Sequence, residues 1–106
     1  MVILVYITAP NENEAEYLAT MLVKQKVAAC VNIIPKVQSV YLWGNSIHKD
    51  NEVILLVKTI ESHFNKIKEI VCSIHSYDTP CIIALPIILG ENKFLAWVED
   101  TVKEEH

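Results

Sequence analysis

The sequence predicts an α+β domain in which one antiparallel sheet carries two helices on the same face, and three observations predict it. Strand-like apolar segments alternate with segments whose apolar residues recur every three or four positions, in the order strand, helix, strand, strand, helix, strand, helix. At 106 residues the chain is too short for a second core, so residues 1–106 are expected to form a single domain. It is 52% hydrophobic and only 21% charged, rich for so small a domain, and part of that apolar surface is expected to lie between subunits.

The elements follow in order. Val2 to Thr8 is an apolar, β-branched run closed by Pro10, Asn11 and Asn13, and reads as a buried strand. From Glu12 to Gln25, Ala15, Leu18, Ala19, Leu22 and Val23 share a helical face, with glutamates at the start and lysines at the end, as the helix dipole favours. Ala28 to Trp43 reads as a long strand with a bulge or bend at Pro35, which has no N–H to donate. Its second half alternates, with Val37, Ser39, Tyr41 and Trp43 on one face. Gly44-Asn45 supplies a turn, a polar segment follows, and Glu52 to Ile60 is the return strand of a projecting hairpin. Ser62 is placed as the N-cap of a helix whose stripe is Phe64, Ile67, Ile70, Val71 and Ile74. His75 to Pro80 is a polar loop, Cys81 to Leu89 a strand interrupted by Pro86, and Gly90-Glu91-Asn92 a turn. Phe94, Trp97, Val98 and Val102 stripe a last helix ending in Lys103-Glu104-Glu105-His106.

A βαββαβ order with right-handed crossovers is most economically a ferredoxin-like sandwich, here extended by the long β-hairpin and a C-terminal helix. The sheet face opposite the helices would be apolar and uncovered in one copy, which argues for self-association. No apolar run reaches 18 residues and the start lacks a basic leader, so neither a membrane partner nor secretion is expected. Three unpaired cysteines, Cys30, Cys72 and Cys81, suit reduced thiols in a cytoplasmic setting. A net charge of −4 with scattered basic residues excludes the electrostatic footprint of a nucleic-acid binder.

Several segments resemble the CutA proteins, the divalent-cation tolerance family. They are Thr8-Ala9-Pro10, Ala28 to Pro35, Ser39 to Gly44, Glu52 through Lys58-Thr59, His75 to Pro80, Leu85-Pro86-Ile87 and Leu95 to Val98, in order along nearly the whole chain. The resemblance implies a homotrimer assembled through the hairpin and sheet edges, similar in plan to PII-type signalling proteins. It also implies a part in tolerance of divalent metals, copper above all, while animal members of the family are associated with protein anchoring. Copper ligands suggested for family members fall at Cys81, Ile74 and Ile7 of this sequence.

The segment His75 to Cys81 gathers imidazole, phenol, carboxylate and thiol within seven residues, a donor set that would suit copper or zinc, with His75 and Cys81 as the candidate metal ligands. The competing reading makes His75 a helix C-cap, Tyr77 an interface residue, Asp78 a turn former before Pro80 and Cys81 a buried strand residue. Tyr41, Trp43, Lys58 and Trp97 are expected to line an intersubunit cleft with His75, Tyr77 and Asp78, where Lys58 would hold a small anion if the trimer works as a PII-like ligand binder. The tryptophans serve equally as packing, and a lysine amid apolar strand residues needs some partner. His48, His63 and His106 are placed in solvent. With two glycines and no nucleophile–base motif, the sequence points to binding rather than catalysis and to no organic cofactor.

Overall fold

The computed structural model describes residues 1–104. Its elements are β1 (Val2–Ala9), α1 (Glu12–Lys24), β2 (Cys30–Trp43), β3 (Ser46–Ile60), a 3-10 turn (Glu61–His63), α2 (Phe64–Ile74), β4 (Ile82–Pro86) and α3 (Asn92–Val102). The sheet order is β2-β3-β1-β4 with every pairing antiparallel, the ferredoxin-like arrangement expected.

The strand pattern sorts residues cleanly between two faces. Ile3, Val5 and Ile7 of β1 and Val53, Leu55 and Val57 of β3 point to the side on which α1 and α2 lie, where they meet Leu18, Leu22, Ile67 and Val71 in the main core. Leu4 and Tyr6, with their partners Lys58, Leu56, Leu85 and Ile83, occupy the other face. One end of that face is covered by α3, whose Val98 and Val102 pack with Val2, Ala29 and Ile60. The rest is open, and Ile83 and Leu85 are exposed there.

Local chemistry sets the element ends. Asn11 caps α1 by accepting from Glu14 N–H at 2.8 Å. After α1, Lys26 adopts φ +59°, its N–H bonds Val23 C=O, and Val27 N–H bonds Leu22 C=O. This is the Schellman closure, with lysine where glycine is usual. The bulge foreseen at Pro35 lies between Ile34 and Val37, where Lys36 has φ +57°. Gly44 and Asn45 both have positive φ, +56° and +64°, and form the primed two-residue turn between paired Trp43 and Ser46.

The structure corrects four boundaries. The polar segment after Asn45 is not a break: β3 begins at Ser46, because Ser46 to Glu52 pair with Trp43 to Val37 in an arm that stands clear of the core and needs no apolar alternation. Ser62 is no N-cap, since it lies within the 3-10 turn. The last strand ends at Pro86, and Glu91 belongs to the helix start, accepting from the N–H groups of Lys93 and Phe94. His63 is buried rather than solvated: its Nε2 lies 2.6 Å from Val102 C=O, so it fastens the end of α3 to the body. His48 is exposed. His106 and the end of the C-terminal tail at Glu105 lie outside the described residues.

Candidate functional site

The hairpin arm, the end of β1 and the His75 loop border an open cavity of about 550 Å³. Each wall has a separate sequence origin. From β2 come Tyr41 and Trp43. From β3 come His48, Asp50 and Glu52, two residues apart and therefore on the same side of the strand. Thr8 closes the floor, and Ser76, Tyr77, Asp78, Thr79 and Cys81 supply the opposite wall. The register places Tyr41 opposite His48, and their rings stack with centroids 5.5 Å apart.

Both carboxylates on β3 are held by phenols. Tyr41 donates to Asp50, and Tyr77 donates to Glu52 at 3.1 Å. The phenols are correspondingly reluctant to ionise. The hydrogen bond to Asp50 pushes the Tyr41 pKa up, and burial, with the charge of Glu52, pushes that of Tyr77 up to about 12. Burial first, then Glu52, also raises the Cys81 thiol, which favours its protonated form.

His75 sits behind this cavity as a keystone of the loop. It caps α2, its backbone N–H bonding Val71 C=O. Its ring is tied on both sides: Nδ1 accepts from Tyr77 N–H at 3.0 Å, so Nε2 carries the proton and donates to Thr8 C=O at 2.7 Å. Glu14 Oε2 lies 3.4 Å from Nδ1 and accepts from both the N–H and the hydroxyl of Ser76, joining α1 to the same loop.

A metal held by His75 and Cys81 does not fit this arrangement. Neither ring nitrogen is free, and the thiol is biased away from the thiolate that metals bind. Ile7 and Ile74 offer no donor atoms. Among the described residues, no three histidine, cysteine or acidic groups converge as a metal site.

Of the residues expected in one cleft, Tyr41, Trp43, Tyr77 and Asp78 come together with Cys81. His75 stands just behind them, its ring 4.7 Å from that of Tyr77. Lys58 and Trp97 do not join. Lys58 shares the sheet face of Glu52 but lies six residues along β3, about 20 Å away at the rise of a strand, opposite Leu4 and Cys30. No ion pair engages it among the described residues. Trp97 is exposed on α3, 5.8 Å from Phe94. Sequence reasoning missed His48, Asp50 and Glu52. Their alternation is the signal that would have placed them on the Tyr41 face once the turn at Gly44-Asn45 fixed the register.

Comparison with known proteins agrees with this geometry. The family described as CutA1 divalent ion tolerance protein matches residues 3–101. Protein CutA, chloroplastic, of Arabidopsis thaliana is 42% identical over 95% of this chain, which spans 56% of that relative's length. The crystal structure of CutA1 from Oryza sativa superposes with a TM-score of 0.94 at 41% identity, covering 98% of this chain and 95% of that one. The structure of the periplasmic divalent cation tolerance protein CutA from Archaeoglobus fulgidus gives 0.94 at 43% identity, over 97% of this chain and all of the other. The order of strands, the long hairpin and the loop after α2 thus belong to a shared plan, and the chain is a member of the CutA1 divalent ion tolerance family.

Proposed function

We propose that the chain serves divalent-cation tolerance by binding cations rather than by catalysis, and that it does so as a homotrimer in a reducing, cytoplasmic compartment. The observation that carries the binding reading is the charge of the cavity: Asp50, Glu52 and Asp78 line it, and no lysine does among the described residues. Such a cleft raises the local concentration of cations and repels anions. Lys58, the residue on which an anion reading depends, lies well outside it. Catalysis finds little support in a thiol whose pKa is raised, the opposite of what a nucleophile needs.

Self-association is supported by apolar side chains that one copy leaves uncovered. Val40, Leu42 and Ile47, on the side of the hairpin turned away from the cavity, form one such patch, and Ile83 and Leu85 on the open sheet form another. Two different patches on one chain suit a head-to-tail contact, which closes a ring when the rotation permits. Free Cys30, Cys72 and Cys81 suit the compartment.

The test is a calorimetric titration of the metal-free, reduced protein with Cu(II) and with Zn(II), coupled to sedimentation. A trimer with saturable binding that is weakened in Asp50→Asn/Glu52→Gln and retained in His75→Ala/Cys81→Ala is the expected result. A stable monomer at micromolar concentration overturns the assembly. Binding indifferent to the carboxylates overturns the site.

A further inference from the structure

The walls of the cavity differ from those of a bare-ion site. Metal sites converge several donor atoms on one point, whereas here each β3 carboxylate is already engaged by a phenol and no triad forms among the described residues. What the cavity has in excess is aromatic surface. Tyr41, Trp43 and Tyr77 all line it, in a space of about 550 Å³, within the range of pockets that take small organic ligands. Trp43 is 68% exposed, a large ring at a cavity mouth with no packing role in the single chain that accounts for it.

Aromatic faces attract cations through the ring quadrupole, and aromatic walls combined with carboxylates are the chemistry that holds ammonium groups. The two phenol hydrogen bonds fix the carboxylates without using them up. A carboxylate has about four lone-pair positions, and one phenol occupies one of them. Asp50 and Glu52 therefore keep open acceptor positions with a set direction, and no lysine lines the cavity among the described residues.

We propose that this cavity receives a small organic cation bearing a protonated amine, with the ammonium between Asp50 and Glu52 and the carbon chain against Tyr41, Trp43 and Tyr77. The inference rests on the reading of the cavity as the cation-accepting site, and it names the class of cation that the aromatic walls favour.

The probe is 1,4-diaminobutane, titrated calorimetrically into the assembled, full-length protein in buffer containing a metal chelator. Saturable binding is expected. Asp50→Asn and Glu52→Gln, which keep a carbonyl acceptor for the tyrosines, each weaken it about tenfold, the effect of losing one charge-assisted hydrogen bond. Trp43→Ala weakens it severalfold, and Lys58→Gln leaves it unchanged; circular dichroism checks that each variant is folded. No saturable heat at millimolar diamine overturns the inference, as does binding that ignores Trp43→Ala and disappears with moderate salt, the behaviour of diffuse surface charge. Divalent ions binding where the diamine fails would sink this inference alone and leave the proposed function standing. Diamine binding where divalent ions fail sustains the inference and removes the metal from the function, and failure of both removes both.

Discussion

The Tyr77 phenol donates to Glu52 at 3.1 Å and so ties the loop after α2 to the strand that rises into the hairpin. The two residues lie 25 positions apart, and their contact makes one wall of the cavity depend on the other. It also links the loop's acid–base behaviour to the charge on β3.

Replacing Glu52 with Gln removes the anion while leaving an acceptor, so the raised Tyr77 phenol and Cys81 thiol should fall towards their ordinary values. A phenol whose folded pKa, about 12, exceeds its ordinary value of 10.0 favours the folded state fully below pH 10 and loses that contribution as pH rises to about 12. Spectrophotometric titration should therefore find two late-ionising tyrosines in the parent protein, Tyr41 and Tyr77. In Glu52→Gln Tyr77 should ionise earlier; an unchanged titration would separate Tyr77 from Glu52.

Thiol alkylation reads the same coupling at neutral pH. Cys72 is exposed and Cys81 is half-buried with a raised pKa, so iodoacetamide should modify Cys72 first. Mass mapping should then show Cys81 reacting faster in Glu52→Gln than in the parent protein. Equal rates at Cys81 in the two proteins would contradict the assigned cause.

His63 offers a test of how α3 is attached. His63→Ala deletes the bond to Val102 C=O and leaves that carbonyl without its buried partner, a loss of about 1–3 kcal/mol. Hydrogen exchange should quicken in α3 well before it changes in β1 or β3. Uniform acceleration throughout would mean that the helix and the sheet open together.

Lys26→Gly should stabilise the chain by about 1 kcal/mol, because φ +59° costs a side-chain-bearing residue what glycine does not lose. Gly44→Ala should destabilise it by a similar amount for the same reason, even though no atom lies within 4 Å of the added Cβ. Denaturant midpoints decide both signs.

The strand order, both core-facing helices and the bulge at Pro35 were legible because each has a local cause: a period, a charge order or a missing N–H. The start of β3 at Ser46 was not, since a strand exposed on both faces carries no alternation between apolar and polar residues. Asp50 and Glu52 became invisible for the same reason, reading as polar filler until the register set them beside Tyr41. His63 was misread because its partner is a carbonyl 39 residues away, which no local pattern reports. Lys58 and Trp97 lie in segments that resemble the family, but such a resemblance says nothing about which end of a sheet a residue occupies.

The bulge between Ile34 and Val37 has one further effect. Cys30, Asn32 and Ile34 pair with Lys58, Leu56 and Ile54, while Val37 pairs with Glu52, so β2 spends three residues where β3 spends two. That odd step exchanges the parity of the strand: even-numbered residues face the open side before it, odd-numbered residues after it. Tyr41 and Trp43 reach the cavity only because of this exchange. Deleting Lys36 would turn both rings to the opposite side of the hairpin while His48, Asp50 and Glu52 stayed in place, leaving an acidic groove without its aromatic wall. The composition of the site is thus governed by one residue that lines no part of it.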